Sequence, residues 1–175
     1  MDTPAFVKLV LDRNQVWIER ALNGVPEELL IKQVHPDANS MAWLLWHLSR
    51  MQDQYIAGQA GKEQVWVSEG WHTRFSRTPN PADTGQRETP DQVRTFSLPD
   101  VQTLMGYYMA ARGQTDRFLE ALSSADMDRP VEGMRPGDTM PLATRMTMLL
   151  IDNIQHVGQM AYVRGLLQGY GWLAV

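Results

Sequence analysis

The stretch Pro141-Leu-Ala-Thr-Arg-Met-Thr-Met-Leu-Leu-Ile-Asp-Asn-Ile-Gln-His-Val-Gly-Gln-Met-Ala-Tyr-Val-Arg-Gly-Leu-Leu-Gln168 decides the fold. Leu142, Met146, Leu149, Asn153, His156, Met160, Val163 and Leu167 recur at steps of four and three without a break. Only a helix with one buried face produces that spacing. Gly169 follows as the residue that ends it.

Three further segments carry the same period. The first runs from Pro4 to Leu22, with Val7, Val10, Trp17 and Ala21 on one side, and stops before Gly24 and Pro26. The second starts at Ser40, a good N-cap, and carries Met41, Leu44, Leu48, Met51 and Tyr55, with Gly58 expected to close it. The third restarts at Leu98-Pro99-Asp100 and carries Val101, Leu104, Tyr108, Ala111, Thr115, Phe118 and Leu122. Between the second and third lies a long connection, Gln59 to Thr89, that holds Trp66, Trp71 and Phe75. A short helix is expected from Thr89-Pro90-Asp91 to Phe96. Asp126 to Met140 reads as irregular, and no segment sustains the period-two alternation of a strand. The expectation is an all-α protein: residues 1–175 as one four-helix-bundle domain, with a long connection between helices 2 and 3 that implies a crossover.

Composition narrows the chemistry. The chain has 175 residues, a net charge of -4 and no cysteine. Without a basic patch, neither nucleic acid nor an anionic membrane surface is an expected partner. Disulfides, zinc–thiolate sites and thiol nucleophiles are excluded, so any metal must be held by imidazole and carboxylate. Met1 to Val10 lacks the pattern of a signal peptide, no apolar run reaches membrane-spanning length, and a cytoplasmic location is expected. The eleven methionines are read as core filling.

The apolar stripe of the last helix is broken at its centre by Asn153 and His156, and Asp152 precedes His156 by four. Side chains at that spacing project side by side, and a carboxylate and an imidazole so placed can reach one ion. His47 flanks the stripe of the second helix. Metal sites in bundles form where facing helices converge, and two imidazoles with one carboxylate leave a coordination position open. On spacing alone, each histidine is equally a hydrogen-bonded core residue, and the Asp152–His156 pair a local hydrogen bond.

A resemblance adds to this. Ser40-Met-Ala-Trp-Leu-Leu-Trp-His47-Leu-Ser-Arg50 resembles the second-helix motif of the DinB/YfiT-like superfamily. Asp152-Asn-Ile-Gln-His156-Val-Gly-Gln159 resembles that family's last-helix motif. Gly70-Trp71 and Tyr107-Tyr108 fall where related sequences carry similar residues. The resemblance covers nearly the whole chain. It implies a four-helix bundle, often a homodimer, with zinc or nickel held by His47, Asp152 and His156. Many members carry His where this chain has Asp152. The related mycothiol-dependent maleylpyruvate isomerases are similar there in using a carboxylate. As Asp is shorter than Glu, Asp152 is either a ligand or a partner that orients an imidazole.

The resemblance implies a metal-dependent enzyme acting on a small-molecule substrate. It would be a transferase or isomerase with a low-molecular-weight thiol as cosubstrate, or a hydrolase. A non-catalytic metal- or small-molecule-binding stress protein is the alternative. Gln159, Trp71, His72 and Tyr108 are the expected pocket residues, with Trp66, Trp71 or Phe75 packed over one end of the bundle. Arg50 and Arg164 read as solvent-facing or as contacts for an anionic group. His35 is given no role.

Overall fold

The computed structural model describes residues 2–133, 135 and 137–173. Four long helices dominate it: α1 (Thr3–Leu22), α3 (Met41–Ala60), α7 (Val101–Glu120) and α8 (Leu142–Gln168). Short helices α2 (Glu27–Leu30), α4 (Val65–Ser68), α5 (Trp71–Arg74) and α6 (Pro90–Arg94) lie in the connections. Local chemistry starts most of the long helices. The side chains of Asp2, Ser40 and Asp100 accept from the backbone N–H groups of Ala5, Trp43 and Thr103. Each such cap is worth about 1 kcal/mol. Helix α3 runs through Gly58, where the sequence places its end, and stops at Gly61. That residue takes the left-handed conformation (φ 62°) an α-helix needs to turn away.

Helix α3 packs mainly on α7 and α8, and α1 on α8 and α7, so the order around the bundle is α1, α8, α3, α7. Cross-contacts give the directions. Arg164 of α8 reaches the carbonyls of Arg20 and Asn23, so α1 and α8 end together. His47 meets His156 while Tyr55 meets Arg145, so α3 and α8 are antiparallel. Residues at the start of α1 line one cavity with those at the end of α7, so these two are also antiparallel. Helices α3 and α7 therefore run parallel, and the chain must cross the length of the bundle between them. The long connection makes this crossover.

It does so along the flank of α3 rather than over an end of the bundle. Val65 and Trp66 donate to Asp53, Pro81 and Asp83 accept from Arg50, Thr84 accepts from His47, and Glu88 accepts from Trp43. The connection thus retraces one face of α3 backwards, at helical spacings. Trp66, Trp71 and Phe75 are buried on the way.

The region before α8 departs from the expected irregular loop. Pro130–Glu132 (β1) and Thr139–Pro141 (β2) form an antiparallel ribbon in register Val131↔Met140. Three residues per strand, with a proline at one end of each, is too short for alternation to show in sequence.

Two apolar clusters fill the bundle. One surrounds Trp43, Trp46, Trp66, Leu104, Tyr107 and Val157. The other, toward the opposite end, surrounds Leu11, Ile56, Leu119, Met146 and Leu149. Between them lies a polar layer to which all four helices contribute. It contains Asn14 from α1, Ser49, Arg50, Gln52 and Asp53 from α3, Arg112 and Thr115 from α7, and Asn153 from α8, all buried. The layer is hydrogen-bonded across helices, as where Gln52 donates to Thr115 at 2.8 Å.

Candidate metal centre

His47, Asp152 and His156 meet at the edge of this polar layer, in the groove between α3 and α8. One nitrogen of each imidazole and one carboxylate oxygen lie within 4.8 Å of one another.

His47 is 7% exposed and held from two sides. Trp43, one turn earlier, stacks on its ring at 4.8 Å and 8°. Its Nδ1 faces the Thr84 carbonyl, which can only accept. Nδ1 therefore carries the proton, and Nε2 presents a lone pair. Thr84 is kept in place by its neighbours. Gly85 has φ 78°, and a Cβ there would stand 2.6 Å from the Trp46 ring and 2.8 Å from the Trp43 ring. Glu88 accepts from the Trp43 indole at 2.7 Å. Arg77 lies over Trp46 at 4.0 Å and pairs with both Asp83 and Glu88.

His156 stands edge-on to His47, with ring centroids 4.9 Å apart. Its Nδ1 is 2.7 Å from the Gln159 Oε1, an acceptor, which again leaves Nε2 for the site. That nitrogen is 3.4 Å from Asp152 Oδ1. The other carboxylate oxygen, Oδ2, is buried and has no hydrogen-bond partner.

The two imidazoles titrate in opposite directions. Burial, reinforced by the charge of His156, lowers the His47 pKa against the pull of Thr84, Asp152 and Glu88. Burial also disfavours the charged form of His156, but hydrogen bonds to Asp152 and Gln159 and the charge of Asp152 outweigh it, and its pKa is raised.

The donor set fits a divalent cation. Ligands at about 2.1 Å in a tetrahedron stand roughly 3.4 Å apart, the separation found between His156 and Asp152. An unpartnered buried carboxylate oxygen is costly as it stands and is satisfied by a cation.

The other residues singled out from sequence are distributed differently. Gln159 joins the site through His156, as the partner that fixes its ring. Trp71 is buried on Tyr107, with its indole donating to Glu69. His72 is half-buried at the edge of Trp66, with Nδ1 beside the Thr73 hydroxyl. Tyr108 is fully buried among groups facing α1: Arg112, Asp116 and Glu19 act on its hydroxyl, and burial pushes its pKa up to about 12. His35 is exposed, and its Nδ1 accepts from the Asp37 backbone.

Neither Arg50 nor Arg164 faces solvent. Arg50 is 0% exposed, and its guanidinium donates to the carbonyls of Asp83 and Pro81, Gln64 Oε1, the Tyr107 hydroxyl and Asp53. All five N–H groups are thereby used, three of them on the crossover residues Gln64, Pro81 and Asp83, one on Tyr107 of α7 and one on Asp53 of α3 itself. Arg164 is spent on the carbonyls at the end of α1. Sequence reasoning also missed the clamp of Thr84, Gly85 and Glu88. A backbone carbonyl leaves no signature in side-chain pattern, and only the glycine was visible.

A family model described as the DinB superfamily matches residues 11–160. The chain belongs to the DinB superfamily. The DinB fold is shared with a solved structure, the crystal structure of a conserved protein from Enterococcus faecalis. The two chains are 22% identical, with a TM-score of 0.86 over 97% of this chain and 99% of that one. No curated protein matches. Among the described residues of this DinB chain, no helix is long and apolar enough to cross a membrane.

Proposed function

We propose that this DinB-superfamily protein is a divalent-metal-dependent enzyme acting on a small molecule, with zinc or nickel held by His47, Asp152 and His156. One observation carries the reading. Both imidazoles have Nδ1 tied back to an acceptor, so both Nε2 atoms are left for the site shared with Asp152, whose buried Oδ2 has no partner. That is the second layer of support that metal-binding histidines require. Three protein ligands leave room for an exogenous one. A divalent ion supplies Lewis acidity there, lowering the pKa of a bound thiol or water, or polarising a carbonyl. The chain's own part is to aim both Nε2 atoms at the site by tying back Nδ1, to offset charge with Asp152, and to shield the His47 side with Trp43. With no cysteine in the chain, thiol chemistry takes its sulfur from a low-molecular-weight cosubstrate. Thiol-linked transfer or isomerisation and hydrolysis are the two reaction types that suit the site. Turnover of a thiol conjugate against a simple ester distinguishes them.

We also propose that the protein pairs with a second copy through α1 and α8. Among the described residues, large exposed apolar side chains concentrate on these two helices, among them Phe6, Trp17, Ile151, Ile154, Tyr162 and Leu166. Exposed apolar side chains concentrated on two neighbouring helices suit an interface.

The metal reading is tested by elemental analysis of untagged protein, with melting curves before and after chelation. Near-stoichiometric metal is expected, with a fall in melting temperature on its removal, because bound ion stabilises only the native state. His47→Ala and His156→Ala should bind no metal and show no response to chelator. Wild-type protein supplied with zinc and nickel that retains neither, and melts unchanged with chelator, would overturn the proposal.

A further inference from the structure

A cavity of about 440 Å³ lies between α3, the start of α8 and the β-ribbon. Its polar lining is Gln54, Tyr55 and Gln59 from α3, Arg145 from α8, and Arg129 and Glu132 from the ribbon arm. Among the described residues, two arginines against one carboxylate give the cavity a positive balance in a chain whose net charge is -4. Arg145 lies over the Tyr55 ring at 4.5 Å, a cation–π contact at the cavity wall. Arg129 reaches back to the Gln59 carbonyl with Nη2 at 3.3 Å. Planar guanidiniums held in this way suit carboxylate or phosphate oxygens.

The cavity and the triad share both of their helices. Arg145 precedes Asp152 by two helical turns on the same face of α8, about 10 Å along the axis. Tyr55 follows His47 by just over two turns of α3, about 12 Å. Burial raises the pKa of the Tyr55 hydroxyl, and the charges of Arg145 and Asp152 both act on it, in opposite senses.

We propose that this cavity is an anion subsite, taking the carboxylate or phosphate of a small molecule whose other end reaches His47, Asp152 and His156 roughly 10 Å away. The orientation toward the triad rests on the metal reading given above; the anion site itself does not. The substrate class is then a flexible, singly or doubly anionic molecule, long enough to span two helical turns. A small neutral compound does not fit that description.

The test separates the two readings. Metal-free protein is titrated with succinate and, separately, with inorganic phosphate, by calorimetry and by following the backbone amide resonances of Tyr55, Gly58 and Val131. Zinc-loaded protein is titrated with glutathione, which carries a thiol and two carboxylates. Saturable binding of succinate or phosphate is expected without metal, with shifts at those three amides. Arg145→Gln and Arg129→Gln should each weaken it about tenfold or more, as for a lost charge-assisted hydrogen bond. Glu132→Gln should tighten it, and Arg13→Gln, on the exposed side of α1, should leave it unchanged. Glutathione should bind the zinc form more tightly than the metal-free form, and Arg145→Gln should weaken both. Failure of both anions to saturate, or equal affinities in the two arginine variants and wild type, would overturn the subsite. Anion binding that persists in protein unable to hold zinc would support the subsite while removing the metal reading. Anion binding with no effect of zinc on glutathione would overturn the orientation toward the triad.

Discussion

Gly85→Ala is the substitution whose effect is best fixed by the geometry. Two penalties combine at this position. A Cβ would stand 2.6 Å from Trp46 and 2.8 Å from Trp43, both ring carbons in a packed cluster rather than ends of flexible chains. Overpacking of that kind costs about 1–3 kcal/mol. The backbone is also left-handed, at φ 78°, which costs a residue with a side chain about 1–2 kcal/mol. The sum, about 2–5 kcal/mol, corresponds to a fall in melting temperature of about 5–15 °C for a chain of this size. Gly24→Ala is the control, because Gly24 has φ 71° but nothing within 4 Å of its Cβ position. It should lose only the strain, about 1–2 kcal/mol. The difference between the two variants, measured by urea melts of metal-free protein, isolates the clash with the tryptophans. The clash also has a consequence at the site. Shifting Gly85 moves the Thr84 carbonyl off His47, and loss of such a supporting contact lowers metal affinity about 10–100-fold. If Gly85→Ala melts with Gly24→Ala and binds zinc like wild type, the loop does not hold His47 in position.

Asp152→Asn should weaken zinc binding more than 100-fold if the carboxylate is a ligand, and about 10–100-fold if it only orients His156, as read by competition with a chromophoric chelator. Acidification should release zinc early, because His156 binds its proton more tightly than a free imidazole of pKa 6.5 and the ion must displace it. As pH is lowered, apparent affinity should begin to fall above that value, and at lower pH in Asp152→Asn; a fall that begins only below that value in wild type would contradict the assignment. In the metal-free protein the same raised pKa makes His156 stabilising below pH 6.5, a contribution lost as pH rises through the folded-state value. Tyr107→Phe removes a hydroxyl that accepts from Arg50 and donates to Asp53, and should cost about 1–3 kcal/mol in urea unfolding; a neutral effect would show that the buried pair does not depend on it. Tyr162→Lys with Leu166→Lys should give a monomer by light scattering while leaving zinc binding intact, and an unchanged mass would place the interface elsewhere.

Helix α8 was legible because its eight-residue stripe has a single consistent period and is interrupted only where chemistry intervenes. The same interruption exposed His156 and, by spacing, Asp152. His47 needed its motif, because every residue from Met41 to Asp53 is buried and the helix has no contrasting face to read. That also explains Arg50. An arginine inside a bundle is contrary to composition rules, and three of its five acceptors come from the crossover wrapped over α3. The parallel course of α3 and α7 was implied by the length of the connection, but its route along α3 was not, since it depends on the carbonyls of Pro81, Asp83 and Thr84. The ribbon before α8 was too short to show a period. Arg145 and Tyr55 lie apart in sequence, one an ordinary charged position and the other the last residue of an apolar stripe, until α3 and α8 are set side by side.

The polar layer between the two apolar clusters bears on how the bundle chooses its register. Uniformly apolar helices can slide by a turn with little loss, and the packing then becomes degenerate. Here a slip of α3 by one turn would carry Gln52 away from Thr115, Asp53 away from the backbone of Val65 and Trp66, and Arg50 away from Tyr107, Gln64, Pro81 and Asp83 at once. Each stranded group would remain in a dry interior, and the penalties would be incurred together. The layer therefore acts as an alignment key across the four helices. It tolerates one axial setting of α3, and in that setting the imidazole of His47 stands level with those side chains of α8 that it needs to meet.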